Sequence, residues 1–178
     1  MSTDYVFDGT KPTAYVESDP VSPLSEYGRS KLAGERATLT ASPHSLIVRT
    51  SWVFGAGGRN FVATMLQLAE ERDRLKVVDD QVGCPTFTGH LAEALVGLAE
   101  GPEHGFLHVA GTGSCSWYEF ARAIFDRAGV DVEVEPCGTA EFPRPAPRPA
   151  NSALASERGA PELPTWQEGL DAYLGVRA

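Results

Sequence analysis

Residues 45–51 read SLIVRTS, and this stretch decides the fold class. A strand with one wet face alternates polar and apolar side chains. Leu46, Ile47 and Val48 do not alternate, so the strand they form is covered on both faces, as in the parallel sheet of an α/β protein. Covering helices are therefore expected on either side of it in sequence.

Upstream, Ser22-Pro23 reads as a helix start, with serine at the cap and proline at the first helical position. The helix is expected to reach about residue 38. Its interior holds Gly28 and Gly34, each costing on the order of 1 kcal/mol against alanine, so contacts beyond helix propensity must hold it. Residues 2–7 alternate polar with apolar or aromatic groups and read as the end of a strand, closed by the turn Asp8-Gly9. A chain that opens in mid-strand suggests a piece of something longer. Residues 10–22, with Pro12 and Pro20, form an irregular loop.

Downstream, Phe61, Met65 and Leu68 at i, i+4 and i+7 mark an amphipathic helix over 60–71. Residues 75–78 form a short strand, and 81–87 a loop or short strand. Thr88 caps a helix with Leu91, Leu95 and Leu98 inward, and 106–109 is a strand. Ser116-Trp117-Tyr118-Glu119 is a capping box opening a helix with Phe120, Ile124 and Ala128 inward, stopped by Gly129. Residues 130–134 read as a strand. Thr165-Trp166-Gln167-Glu168 is a second capping box, before Leu170 and Leu174. Prolines at 143, 145, 147 and 149 exclude regular structure there, so 141–149 is expected as a wall laid over a site. The alternation of strands and helices implies α/β packing with largely parallel strands.

The 178 residues carry a net charge of −9, with 42% hydrophobic and 22% charged residues. That suits a globular core and argues against a nucleic-acid partner. No run is long enough to span a bilayer and the first residues are no signal peptide, so no membrane association and a cytoplasmic location are expected. Three scattered cysteines fit a reducing compartment, and neither cysteine nor histidine spacing supports a metal site.

The chemistry centres on Tyr27-Gly28-Arg29-Ser30-Lys31. Tyr27 and Lys31 share one helix face. A free tyrosine titrates near 10 and is a poor proton donor at neutral pH. A nearby ammonium stabilises its anion, which makes the pair a general acid suited to protonating an alkoxide as it forms from a carbonyl. YxxxK alone is a weak signal, because chance produces it in many helices. Thr3, at the end of the first strand, points a hydroxyl into the crevice where α/β sheets bind ligands, where it could polarise a carbonyl.

Five ordered blocks, STDYVFDG, YGRSKLAGE, RTSWVFG, DDQVGCPT and RPANSAL, closely resemble the motifs of the dTDP-4-dehydrorhamnose reductase family within the extended short-chain dehydrogenases/reductases. The resemblance covers nearly the whole chain. It implies an incomplete, doubly wound Rossmann-like sheet, mostly parallel, in residues 1–60, with the YxxxK helix. A small, mainly substrate-binding α/β region follows in 61–178, the two forming one compact unit. It implies NADPH- (or NADH-) dependent reduction of the C4 ketone of dTDP-4-dehydro-6-deoxy-L-mannose to dTDP-L-rhamnose. Tyr27 would be the general acid, Lys31 its tuner and ribose anchor, and Thr3 the polariser of the carbonyl. Thr50 and Ser51 would meet the nicotinamide end. Asp4, Tyr5 and Trp52 would lie beside the sugar, Asn60 and Phe61 near the nucleotide, and Arg148 on a phosphate. Asp80, Gln81, Gly83, Pro85 and Thr86 fall in a substrate-region loop, with Gly83 and Pro85 read as turn residues, and Ser152 follows the proline-rich wall.

One departure bears on activity. The family opens with a GxxGxxG turn that receives the cofactor pyrophosphate, and no such motif stands in this chain. Gly55-Ala56-Gly57-Gly58 follows Trp52-Val53-Phe54 and reads as a flexible loop. Cofactor binding is therefore expected to be incomplete here, with the glycine-rich half supplied by a second chain or an upstream region. The chain alone is expected not to reduce substrate efficiently, and a homo-oligomer stays open. Two alternatives also stand: a non-catalytic module of the same fold, as in regulatory subunits of methionine adenosyltransferase, or another short-chain enzyme acting on a nucleotide sugar.

Overall fold

The computed structural model describes residues 1–176. The strand read at 45–51 is β2 (Leu46–Thr50), the centre of a three-stranded parallel sheet ordered β1–β2–β7, with β1 at Ser2–Thr3 and β7 at Gly105–His108. Both faces of β2 are indeed covered. Val48 packs with Leu91, Leu98 and Leu107 on the side of α3 (Thr88–Ala99). Arg49, on the opposite face, reaches α1 (Glu26–Ala41), where its guanidinium donates to Glu35 from Nε at 2.9 Å and from Nη2 at 2.8 Å. Both partners are buried, so each charge is neutralised only by the other.

Three further strand pairs extend the chain. β3 (Val53–Phe54) runs parallel to β6 (Thr86–Phe87), and β4 (Arg74–Val78) runs parallel to β9 (Glu133–Cys137). β5 (Val82–Gly83) is antiparallel to β8 (Cys115–Ser116). The helices α2 (Phe61–Glu71), α4 (Trp117–Ala128) and α5 (Trp166–Val176) complete the order. An aromatic core of Phe54, Phe120, Phe125, Trp166 and Tyr173 joins α4 and α5 to β3 and β4. No helix among the described residues is long and apolar enough to cross a membrane.

The capping boxes form as the sequence implies. Ser116 Oγ accepts from Glu119 N at 3.0 Å while Ser116 N donates to Glu119 at 2.7 Å. Thr165 and Glu168 exchange the equivalent pair. Gly129 ends α4 in the left-handed region, at φ 63°.

Other boundaries differ from the sequence reading. The first strand ends at Thr3, and Asp4–Val6 form a 3-10 turn because Thr3 Oγ1 caps it, accepting from Tyr5 N at 3.2 Å. α1 is capped by Ser25 rather than Ser22, whose N–H is taken by Val6 O at 2.9 Å. Thr88 is the first residue of α3 rather than its cap. Phe125, not Ala128, completes the inner face of α4. The strand expected at 130–134 begins at Glu133, where pairing with Arg74 starts. Its Pro136 is tolerated because β9 lies at the edge of a two-stranded ribbon.

Candidate active site

The end of β1 and the start of α1 are held together by a missing side chain. A Cβ on Gly28 would lie 2.2 Å from Tyr5 O, so only glycine lets the helix approach the 3-10 turn this closely. The contact sets the Tyr27 ring edge-on to Tyr5, with centroids 6.1 Å apart. Tyr27 remains 54% exposed, which leaves its phenol open to ligand and solvent. Lys31 Nζ donates to Met1 O at 2.9 Å.

Thr3, Asp4, Tyr5, Tyr27, Trp52, Phe61 and Arg148 all border one cavity of about 930 Å³. Its far wall comes from α2 (Met65, Leu68) and from β4 (Leu75, Val77). Phe142, Arg144 and Arg148 of the proline-rich segment line the same space, so that segment is a wall. The clasp at its start is polar: Thr139 gives its N–H and hydroxyl to Asp80, and Gln81 donates to Thr139. Arg72, Arg74, Lys76, Arg144 and Arg148 concentrate cations around this cavity in a chain of net charge −9.

The remaining predicted residues lie elsewhere. Lys31, Thr50, Ser51 and Asn60 are not among the cavity's lining residues. Asn60 caps α2, accepting from Ala63 N at 3.0 Å, and its amide donates to Gly55 O at 2.8 Å. That bond ties down the glycine-rich loop. Thr50 is buried with its hydroxyl unpartnered, as is that of Ser2. Pro85 and Thr86 are buried in the interior, and Thr86 Oγ1 accepts from Gly111 N at 3.0 Å. Gly83 is not a turn residue. It sits in β5, where a Cβ would meet the Trp52 indole at 2.3 Å.

Trp52 itself has φ 43°, a left-handed conformation unusual for a large side chain. It stacks on Trp117 with centroids 3.4 Å apart and planes 4° apart. The stack joins the end of β2 to the start of α4, and both indoles line the cavity. Sequence reasoning missed Trp117, and it read Met65 and Leu68 only as a helix's inner face. One apolar stripe serves core and cavity alike, and periodicity cannot separate the two.

Electrostatically the inner end is unusual. Burial pushes the Asp4 carboxyl up to about 6, opposed by hydrogen bonds from Ser152, Thr3 and Ser51. Burial, helped by the charge of Asp4, pushes the Tyr5 phenol up to about 12. Behind the sheet, burial lowers the pKa of His108. Its Nδ1 faces two carbonyls, Tyr15 O at 3.1 Å and Ala155 O at 3.0 Å. The proton therefore sits on Nδ1, and Nε2 accepts from Arg49 at 3.5 Å. No group of three or more His, Cys, Asp or Glu among the described residues could hold a metal ion.

Residues 1–177 match the family described as the RmlD substrate binding domain. The spore coat polysaccharide biosynthesis protein SpsK of Bacillus subtilis is 45% identical over 181 residues, covering all of this chain and 64% of its own length. A dTDP-4-dehydrorhamnose reductase structure from Clostridium acetobutylicum superposes with a TM-score of 0.94 at 44% identity, over 99% of this chain and 64% of its own. One from Bacillus anthracis, in complex with NADP, does so at 0.94 and 41%, with the same coverage. The chain thus spans somewhat under two thirds of these relatives. With its α/β fold, its mostly parallel strands and this degree of identity, the chain belongs to the dTDP-4-dehydrorhamnose reductase family.

Proposed function

We propose that this chain carries the proton-donating and sugar-nucleotide-binding part of an NADPH-dependent reductase converting dTDP-4-dehydro-6-deoxy-L-mannose to dTDP-L-rhamnose. The observation that supports it most is the shared border of one cavity: the Thr3-Asp4-Tyr5 turn, the phenol side of the YxxxK helix, the Trp52 wall and Arg148. A 4-keto sugar fits the polar end, beside Thr3 and Tyr27. The diphosphate fits the cation-rich side near Arg148, and the pyrimidine fits the apolar face of Phe61, Met65 and Leu68.

Tyr27 gives its phenolic proton to the sugar O4 as the ketone is reduced, and its exposure lets solvent restore that proton. Thr3 borders the carbonyl, and Lys31 turns from Met1 O to the ribose. The residues fit only the nicotinamide-ribose end of the cofactor: Tyr27 stands exposed on the cavity, Lys31 is half-buried one helical turn on, and the buried Thr50 hydroxyl lacks a partner. When bound, the reduced nicotinamide supplies hydride. The glycine-rich loop at 55–58 lacks the GxxGxxG spacing and the following strand-to-helix turn that would aim backbone N–H groups at its phosphates.

Calorimetry should show dTDP-L-rhamnose binding to the purified chain. NADPH oxidation should be absent with the chain alone and appear when a polypeptide carrying the GxxGxxG half is added. Tyr27→Phe should then reduce the rate by on the order of a hundredfold or more. A rate that survives in that variant removes Tyr27 from the mechanism.

A further inference from the structure

A hydroxyl has one proton to give, and at Thr3 and Ser51 that proton is engaged. Thr3 Oγ1 donates to Asp4 Oδ1 at 2.9 Å and accepts from Tyr5 N at 3.2 Å. Ser51 Oγ donates to Asp4 Oδ2 at 3.0 Å and accepts from Cys84 N at 3.3 Å. A carboxylate only accepts. While Asp4 is ionised, Thr3 therefore offers the cavity a lone pair and no proton. A ketone oxygen, itself an acceptor, finds no donor there, whereas an alcohol can donate to Thr3.

Protonating Asp4 on Oδ1 reverses the first bond. Asp4 then donates to Thr3, whose own proton turns to the cavity, and Oδ2 still accepts from Ser51. The bonds that Thr3 and Ser51 make stay satisfied in both arrangements. We propose that Asp4 is a positioning residue that reads the oxidation state of the ligand: the ketone binds with uptake of one proton by Asp4, and the alcohol binds without it. This rests on the reductase reading above.

The surroundings suit such a switch. Asp4 is 3% exposed, and its carboxyl, pushed up by burial, is held near 6 by three hydroxyls rather than by a cation. The titratable groups beside it are the Tyr5 phenol, raised to about 12, and the Cys84 thiol, raised by burial to about 11, so both stay protonated. Arg148 lowers the Tyr5 value, and Tyr27, edge-on to Tyr5, raises it.

The test uses the 178-residue protein with dTDP-4-keto-6-deoxyglucose as ketone probe and dTDP-L-rhamnose as alcohol. Calorimetry between pH 6 and 8 measures affinity, and carbon NMR of the labelled Asp4 carboxyl follows its titration. If binding needs the protonated fraction, ketone affinity falls about fifty-fold over that range while alcohol affinity holds. The Asp4 midpoint should rise in the ketone complex alone. In Asp4→Asn the amide permanently donates to Thr3 and accepts from Ser51, so the pH dependence of ketone binding should vanish. Ketone affinity independent of pH, an unchanged Asp4 midpoint in the wild-type complex, or equal slopes for both probes overturns the proposal alone. Failure of both nucleotides to bind at any pH overturns the sugar-nucleotide reading and this inference with it.

Discussion

The two ends of this molecule are held by different physics. Around β1, β2 and α1 buried polar groups are set among the apolar ones: Arg49 pairs with Glu35 and is flanked by Phe7 and Phe106 rings at 5.3 and 4.4 Å from its guanidinium carbon. His108 joins the same network, and Asp4 gathers Thr3 and Ser51 nearby. Around α2, α4 and α5 the interior is aromatic and apolar. Directional bonds fix angles, whereas apolar packing fixes volume. On the proposed function, the end that orients a hydroxyl and a phenol uses the first, and the end that would take the pyrimidine uses the second.

Removing one member from either interior should show the contrast most strongly. Glu35→Ala leaves a buried guanidinium unpaired, and Phe120→Ala leaves a cavity, so each should cost about 3–5 kcal/mol in denaturant unfolding. The responses to a second change should diverge. Adding Arg49→Leu to a Glu35→Leu background should recover most of the loss, since an apolar pair can replace a buried ion pair. No deletion beside Phe120 should do so. Equal failure of both rescues would erase the distinction.

Asp4 sharpens it through pH. Its native value of about 6 lies above its ordinary 3.8, so the folded state holds the proton more tightly than the unfolded chain. Stability from this group is complete below its ordinary value and is lost as pH rises through about 6. Asp4→Asn should therefore be more stable than wild type at pH 8, by on the order of 3 kcal/mol, with the gap closing towards pH 4. Unfolding curves across that range decide it.

The seam between the ends is the Trp52–Trp117 stack, which exists because Gly83 has no side chain. Gly83→Ala should displace the indole, cost about 1–3 kcal/mol as other overpacked sites do, and change tryptophan fluorescence. The smallest effect belongs to a local device beside the seam, the cap that opens α4 just before Trp117. Ser116→Ala removes one half of a capping box and should cost about 1 kcal/mol, with ligand binding unchanged.

Sequence by itself determined what depends on near neighbours. The doubly covered strand showed in the unalternated Leu46, Ile47 and Val48, both capping boxes in four-residue spacings, and the Tyr27–Lys31 face in one helical turn. The proline-rich wall followed from rings that cannot join a helix or an inner strand. Tertiary structure decided what depends on distant segments meeting. The Glu35–Arg49 pair, the Gly83 niche for Trp52 and the placing of Met65 and Leu68 on a cavity wall left no periodic trace. Asp4 read as a residue beside the sugar, yet its carboxyl lies buried beneath Thr3. Its protonation is set by burial, opposed by hydroxyls from residues 3, 51 and 152, which only folding brings together. A spacing rule records the geometry of one element, while burial and hydrogen-bond direction belong to the space between elements.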